Sequence, residues 1–293
     1  MKKNKLPKRV TNLLASCPKS GEGVHRWLFV TALKLHRYFK DREELIRLLA
    51  EATAGCGRDV PDSEIRDAVC NSNPDRDGKP YTGPKWPERN AGRIESIVRN
   101  GPTVAALAEL SPVKWSDGTP HTEDIIDTLF PGNPLLCAGP TKFKWLTRTR
   151  EEWRGLLEKQ QLIVPNPMCT IYGNTKNGNR SMRTTANTGP RRYLVVESDQ
   201  GTFNQQAAIL LHLATFAPLV MCVDSGGKSL HGWFFVAGKP EHAVEKFFRY
   251  AVSLGADYAQ WKCCQLVRMP DGQRDNGNRQ SVVFFNPKPS EAK

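Results

Sequence analysis

The sequence predicts an α+β protein in which a helical part precedes a part built on an antiparallel sheet. Between residues 24 and 56, apolar residues recur at spacings of three and four, which is the period of an amphipathic helix. From residue 192 onward, short runs rich in Val, Phe and Trp alternate with two helical segments, which is typical of strands that pack against helices. Residues 72–92 lie between the two parts and are rich in turn-forming Gly and Pro.

The helical part is predicted to span residues 23–110. Residues 1–22 precede it and are rich in Lys, Pro, Gly and Ser, a composition that predicts a basic flexible arm. A linker is expected at about residues 72–92. The expected helices are two within residues 24–56, one that begins near Pro61 with Asp62 or Ser63 as its N-cap, and one over residues 91–110 that is broken at Asn100-Gly101-Pro102.

Residues 111–293 are predicted to form the second domain, which begins with helical segments and continues as a sheet. Helices are expected at residues 123–129 and 150–160, followed by an extended segment at residues 162–165. The predicted strands are residues 193–197, 219–224, 232–236, 265–268 and 281–285, with helices at residues 205–216 and 241–254 between them.

The composition predicts an anionic partner. The 293 residues carry 42 Lys and Arg against 30 Asp and Glu, a net charge of +12. Such a surplus attracts a phosphate backbone, so nucleic acid is the first candidate, with simple solubility or an anionic membrane surface as alternatives. The apolar runs are far shorter than the roughly 20 residues that span a bilayer, so no membrane is expected.

The eight cysteines contain no C-x-x-C pair, so neither a zinc module nor disulfides are expected. Without a secretory signal pattern, we expect a cytoplasmic, nucleoid-associated protein.

Two acidic residues, Glu197 and Asp199, end an apolar run and stand two positions apart. Side chains at i and i+2 of a strand point to the same face, so both carboxylates are expected in one site. Because like charges held together repel, a cation or a shared proton is needed to neutralise them, and Mg²⁺ or Mn²⁺ suits such hard oxygen ligands. The alternative is a solvated strand end with no bound metal.

Residues 222–234 resemble a phosphate-binding P-loop at first sight, but they do not match one. Cys222 stands where that loop needs a Gly, and a strand rather than a helix follows Lys228-Ser229. We therefore expect a hairpin that places Ser229 and His231 on one face of its second strand. There His231 would hydrogen-bond a phosphate oxygen, with Ser229 beside it and Lys228 adding charge. The alternative is a histidine that only stabilises the hairpin.

Asp257 and Arg268 follow further along the chain and, taken alone, are a turn acid and a surface cation. In order and spacing, however, the three elements resemble the motifs of the archaeo-eukaryotic primase superfamily, which includes the primase-polymerases of plasmids, phages and mobile elements. The resemblance covers roughly residues 185–287. Glu replaces the more usual Asp at the first position, no helicase segment follows, and the helical domain precedes the core instead of following it.

The resemblance implies a primase-like catalytic core at residues 111–293 with an RNA-recognition-like antiparallel sheet, in which the strand ending in Glu197 is central. It implies that Glu197, Asp199 and Asp257 are catalytic and bind two divalent ions, Mg²⁺ or Mn²⁺. It also implies that Ser229, His231 and Arg268 hold the phosphates of an incoming nucleotide, with Lys228 nearby.

The implied activity is a DNA-dependent primase-polymerase that adds NTP or dNTP to a 3′-hydroxyl or an initiating nucleotide on a single-stranded DNA template, with a separate helicase as a partner. Trp145 and Trp153 are candidates for base stacking or for the core. The basic residues expected near the template are Lys142, Lys144, Arg148, Arg150, Arg180, Arg183, Arg191 and Arg192. Two alternatives remain: a non-catalytic RNA-recognition-like module that binds single strands through exposed aromatic residues, and a metal-dependent nuclease.

Overall fold

The structure is a computed structural model that describes residues 7–36, 38–39, 41–72, 85–115 and 118–288. The chain divides between Pro84 and Lys85 into two units, each with its own core. In the described ranges, no helix is long and apolar enough to cross a membrane.

The first unit is helical, as predicted. Its core contains Leu28 and Leu35 from one helix, Leu45 and Leu49 from the next, and Ile65 from the last. The helices in its described residues are α1 (Lys8–Leu14), α2 (Val24–Leu35), α3 (Arg42–Thr53) and α4 (Asp62–Asn71).

Helix α1 corrects the prediction that residues 1–22 form a flexible arm. Val10 of α1 is only 1% exposed, and Leu13 and Leu14 pack against the same core, because their spacing places all three on one helix face. The predicted cap of α4 is also wrong, since Pro61 is the N-cap residue and makes no side-chain bond, so Asp62 is already helical. Residues 1–6 of the predicted arm lie outside the described residues.

The second unit contains two antiparallel four-stranded sheets and a two-stranded ribbon in its described residues, so an α+β architecture is confirmed. Its helices are α5 (Ala91–Arg99), α6 (Val104–Glu109), α7 (Thr122–Leu129), α8 (Arg150–Trp153), α9 (Phe203–Leu213) and α10 (Glu241–Ser253). Its strands are β1 (Leu135–Thr141), β2 (Lys144–Thr149), β3 (Leu162–Ile163), β4 (Gly173–Asn174), β5 (Arg180–Ser181), β6 (Tyr193–Glu197), β7 (Leu219–Asp224), β8 (Leu230–Phe235), β9 (Val267–Arg268) and β10 (Val282–Phe285).

The first four-stranded sheet contains four of the predicted strands in the order β10-β7-β8-β6. Strand β6 therefore lies at the edge of this sheet and not at its centre. The prediction that the strand ending in Glu197 is central is therefore wrong. Local sequence pattern does not encode strand order, and the continuous apolar run of β6 is explained instead by burial on both faces. Strands β1, β2, β3 and β9 form the second sheet in the order β2-β1-β3-β9.

Both faces of the β10-β7-β8-β6 sheet are covered. Leu194, Leu230 and Phe234 pack on one face against α9 and α10, while Val195 and Trp233 pack on the other in a core that includes residues of the second sheet. Helices α9 and α10 match their predicted positions to within three residues at either end. This sheet thus offers no open face of exposed aromatic residues among the described residues.

Residues 85–110 belong to the second unit, which corrects the predicted boundary at residue 110. Helices α5 and α6 lie against α9, with Leu107 in the same core as Leu210. Trp86, placed in the predicted linker, packs with ring centroids 5.3 Å from Phe248 and 5.8 Å from Trp261. Apolar contacts therefore hold residues 85–110 in the second unit. Residues 73–84 of the predicted linker lie outside the described residues.

The β1–β2 hairpin was not predicted from the sequence. Gly139-Pro140 interrupts its apolar run, and the pairing register shifts between Ala138 and Thr141, so neither strand shows a clean alternation. The predicted helix at residues 150–160 is also shorter, because α8 ends at Trp153 and only a 3₁₀ turn, Leu157–Lys159, follows.

Gly232 in β8 allows α9 to lie directly on the sheet. A Cβ atom at this position would stand 2.5 Å from Leu210 Cδ2 and 3.2 Å from Phe234 Cε2. We expect Gly232→Ala to lower the free energy of unfolding by about 1–3 kcal/mol, because the packed core must shift. Gly92→Ala in α5, where the new methyl group meets only a side-chain oxygen at 4.0 Å, should instead stabilise by up to about 1 kcal/mol. Urea denaturation measures both, and equal effects of the two variants would contradict the close approach of α9.

Candidate functional site

The three sequence motifs meet at one end of the β10-β7-β8-β6 sheet. Glu197, the last residue of β6, pairs directly with His231 of β8, and Nε2 of His231 lies 2.5 Å from Oε2 of Glu197. The backbone N–H of Asp257 donates to the carbonyl oxygen of Glu197 at 2.8 Å. The residues that the sequence brings from three separate stretches are therefore neighbours in space.

The Glu197 carboxylate is largely buried and well supported. Its second oxygen accepts a hydrogen bond from Nε2 of Gln260 at 2.5 Å. Burial raises the pKa of Glu197, but the charge and hydrogen bond of His231, the hydrogen bond of Gln260 and the charge of Arg268 outweigh that effect, so the pKa lies below its ordinary value. Glu197 is thus held as a carboxylate.

Asp257 and Asp199 are more accessible. Asp257 accepts a hydrogen bond from the backbone N–H of Ala259 at 2.9 Å, which caps the 3₁₀ turn Tyr258–Trp261. Partial burial raises the pKa of Asp257, and the like charges of Glu197 and Asp199 raise it further against the lowering effect of that hydrogen bond. Oδ2 of Asp199 lies 3.3 Å from Nζ of Lys228, and both side chains are exposed. The charges of Glu197 and Asp199 therefore both act on Asp257.

The predicted hairpin between β7 and β8 is confirmed, and it positions Ser229. The N–H of Ser225 donates to the carbonyl oxygen of Ser229 at 2.9 Å, and the turn includes Gly226 with φ of 67°. Oγ of Ser229 lies 3.3 Å from Nε2 of His231, as expected for two residues on one face. Leu230, between them, is buried on the opposite face beneath α9.

Arg268 and Arg274 bring two positive charges to this site. Burial and the like charge of Arg274 lower the pKa of Arg268, against the raising effect of Glu197, Asp275 and Asp199. Nη1 of Arg274 lies 3.5 Å from the carbonyl oxygen of Ser225, so Arg274 stands against the hairpin. Two guanidinium groups that repel each other favour binding of an anion between them.

Sequence reasoning missed Arg274, Gln206 and Gln260. Gln206 of α9 is buried and donates to the carbonyl oxygens of Gly201 and Lys228 at 3.2 and 3.0 Å. No sequence motif marks these residues, since their role depends on burial against loops distant in sequence. The one sequence feature that could have indicated Arg274 is its position, six residues after Arg268 in a stretch rich in turn-forming residues.

Several buried polar atoms at this site have no hydrogen-bond partner within the described part of the chain. They are Nδ1 of His231, Oε1 of Gln260 and Nε of Arg274. Buried polar groups in folded proteins are almost always paired, so water or a polar ligand can complete these three, as at the other such atoms of the described residues. As the side chains stand, however, no group of three or more His, Cys, Asp and Glu among the described residues is arranged to hold a metal ion.

The predicted template-binding residues are distributed over several elements. Lys142, Lys144 and Arg148 lie on or beside the β1–β2 hairpin, where the Arg148 guanidinium lies 5.2 Å from the Trp153 ring centroid. Trp153 is a core residue, and its Nε1 donates to the carbonyl oxygen of Leu136 at 2.9 Å.

Arg150 is fully buried and paired with Glu123 and Asp127 at 2.6 and 2.7 Å, which corrects its prediction as a template contact. Nη2 of Arg191 donates to the carbonyl oxygen of Trp261 at 3.0 Å and lies 3.2 Å from Oε1 of Glu241. Arg192 directly precedes β6, at the end of the strand away from Glu197.

No protein-family model, curated protein or solved structure matches this chain.

Proposed function

We propose that this protein is a DNA-dependent primase-polymerase that transfers a nucleotide from NTP or dNTP to a 3′-hydroxyl or an initiating nucleotide. The observation that carries the proposal is the meeting of two opposite charge sets at one sheet end. Glu197, Asp199 and Asp257 form the acidic set, and Arg268 with Arg274 forms the basic set. A nucleoside triphosphate needs such a pair of environments, since its phosphates require cations and its reaction requires metal-binding oxygens.

The acidic set fits Mg²⁺ or Mn²⁺ by its donor chemistry, because carboxylate oxygens are the ligands that hard divalent cations prefer. Glu197, Asp199 and Asp257 would hold the ions, and a cation would relieve the repulsion from Glu197 and Asp199, which adds to burial in raising the pKa of Asp257. When bound, such ions lower the pKa of an attacking hydroxyl group and stabilise the charge on a leaving pyrophosphate.

The other side chains bind and orient the nucleotide. Arg268 and Arg274 attract the triphosphate oxygens, while the Ser229 hydroxyl donates a hydrogen bond to one of them. Nε2 of His231 lies 2.5 Å from Oε2 of Glu197 and 3.3 Å from Oγ of Ser229, so this ring positions the hydroxyl group that binds the triphosphate. These residues place the reacting atoms, so the rate gain comes from orientation and charge and not from a covalent nucleophile.

The alternative of a non-catalytic RNA-recognition-like module is less well supported. Such a module stacks bases on exposed aromatic side chains of its sheet. Here Trp233 and Phe234 of β8 are fully buried, and Tyr193 and Phe285 of the two edge strands are at most 3% exposed. A metal-dependent nuclease shares the acidic set but has less need of the two guanidinium groups of Arg268 and Arg274.

The test is incubation of the protein with a primed single-stranded template, labelled nucleotides and Mg²⁺ or Mn²⁺. We expect the primer to lengthen, and we expect Asp199→Ala and His231→Ala each to reduce incorporation by at least about tenfold. Shortened strands instead of lengthened ones would indicate a nuclease. Binding of the strand without any product, under all conditions, would favour the non-catalytic module.

A further inference from the structure

A groove lies where β6 begins and β8 ends, at the opposite end of the sheet from the acidic residues. We call it the basic groove and define it by Arg192, Tyr193, Phe216, Phe235, Lys239 and Lys288. Its cavity volume is about 650 Å³, which is within the usual range of ligand-binding pockets. Tyr193 and Glu197 are the first and last residues of β6, and four strand steps separate them by about 13 Å.

The lining of the basic groove is positively charged. It includes Arg192, Lys239 and Lys288, and no Asp or Glu is among the described residues that line it. Neither lysine has an ion-pair partner within the described ranges, and Nε of Arg192 donates only to the neutral Tyr193 hydroxyl at 3.3 Å. Three cations without compensating carboxylates favour a ligand that carries negative charge.

Aromatic rings stand beside these cations. Phe216 is 56% exposed, an unusual state for a large apolar side chain, and Phe235 and Phe247 are half-buried in the same lining. Rings that are open on one side, next to Lys and Arg, are the arrangement on which nucleic-acid bases stack while phosphates contact the cations. A simple inorganic anion would have no use for the aromatic part.

The basic groove also continues beyond its own cavity. A neighbouring groove of about 490 Å³ shares Val236, Gly238, Lys239 and Val244 with it and extends past Pro240 to Pro190. Its other charged residues, Arg191 and Glu241, form an ion pair with each other at 3.2 Å. We propose that the basic groove binds a segment of single-stranded nucleic acid, with bases against Phe216 and phosphates at Arg192, Lys239 and Lys288. The continuous length favours a strand over a single nucleotide. This binding does not depend on nucleotidyl transfer at the acidic residues.

The test measures binding of a fluorescent oligothymidylate of about 20 nucleotides by anisotropy at low salt, without metal or triphosphate. We expect Lys239→Gln/Lys288→Gln to weaken binding about tenfold, because both phosphate contacts lose their charge. Phe216→Leu keeps an apolar side chain but loses the ring, and we expect it to weaken binding about fivefold. Circular dichroism and thermal unfolding of each variant establish that it is folded.

The matched control is Lys159→Gln/Lys176→Gln, which removes the same charge from exposed positions away from the basic groove. We expect it to weaken binding by no more than about twofold. An equal loss in both double variants, or no loss with Phe216→Leu, would overturn the proposal. Because the assay contains neither metal nor triphosphate, its result does not depend on nucleotide incorporation, so a failure of the catalytic proposal is distinguishable from a failure of this one. Competition by thymidine monophosphate at similar concentration would show a mononucleotide site and contradict the strand.

Discussion

Asp257→Asn should abolish nucleotide incorporation while leaving the fold as stable as the wild type or slightly more stable. The asparagine keeps an oxygen that can accept the hydrogen bond from Ala259, so the cap of the 3₁₀ turn persists. The substitution removes the negative charge that Glu197 and Asp199 repel. Since the folded protein raises the pKa of Asp257, the ionised form opposes folding at neutral pH, and its removal does not cost stability.

The loss of incorporation should be at least about 100- to 1000-fold, because a group that stabilises charge in the transition state is removed. In a thermal-unfolding experiment, Mn²⁺ should raise the melting temperature of the wild type through preferential binding to the folded state. The same addition should have little effect on Asp257→Asn. The two readouts separate metal binding from chemistry.

Asp224→Asn is the matched control for this variant. Asp224 ends β7, and like Asp257 it accepts a hydrogen bond from a backbone N–H two residues later, that of Gly226 to Oδ1 at 2.9 Å, which asparagine can retain. It pairs with Leu230 and so faces away from His231. We expect near-normal incorporation and a normal Mn²⁺ response. Equal losses of incorporation in both variants would show that the effect is not specific to Asp257. A melting temperature of Asp257→Asn well below that of the wild type would mean that the variant is inactive because it unfolds.

The elements that the sequence predicts best are those whose residues are buried on both sides. Strand β6 and strand β7 occupy the predicted residues 193–197 and 219–224 because continuous apolar runs, bounded by charge and turn residues, leave few alternatives. The hairpin that carries Ser229 and His231 was predictable for the same local reason, since Ser225-Gly226-Gly227 is a strong turn signal.

What the sequence could not predict depends on contacts between distant residues. The edge position of β6 follows from pairing with β8 alone, which no local pattern records. Helix α1 was not predicted because it lies in a stretch rich in basic residues. Residues 85–110 were assigned to the first domain because their packing against α9 is a contact between residues distant in sequence. Glu197 and Asp199 were predicted because they follow the apolar run of β6, whereas Gln206, Gln260 and Arg274 belong to the site only through tertiary contacts.

The position of the acidic residues at a sheet edge has a consequence for access. An edge strand is open on one side, and here the 3₁₀ turn Tyr258–Trp261 covers that side by the bond from Asp257 to Glu197. The third carboxylate is therefore supplied by the segment that closes the edge. The Glu197 carboxylate is itself held by His231 and Gln260.

Gln206→Leu should destabilise the second unit by about 2–4 kcal/mol, although it replaces a buried polar side chain with an apolar one of similar size. Gln206 is only 3% exposed, and its Oε1 accepts a hydrogen bond from the N–H of Leu230 at 2.7 Å. Its Nε2 donates to the carbonyl oxygens of Gln200, Gly201 and Lys228 at 3.3, 3.2 and 3.0 Å. Leucine leaves these backbone groups buried or half-buried without a partner, and urea denaturation measures the cost.

The same change should impair the site beyond its effect on stability, because Lys228 and Leu230 flank Ser229. Without Gln206, the backbone that carries Ser229 and His231 loses its anchor to α9, so we expect a KM for nucleotide raised by about tenfold in conditions where the variant is folded. Gln205→Leu, at the next position, loses only the capping bond to Thr202 and should cost about 1 kcal/mol with a normal KM. If Gln206→Leu were no worse than Gln205→Leu in either measurement, α9 would not be the support that holds the hairpin against the acidic residues.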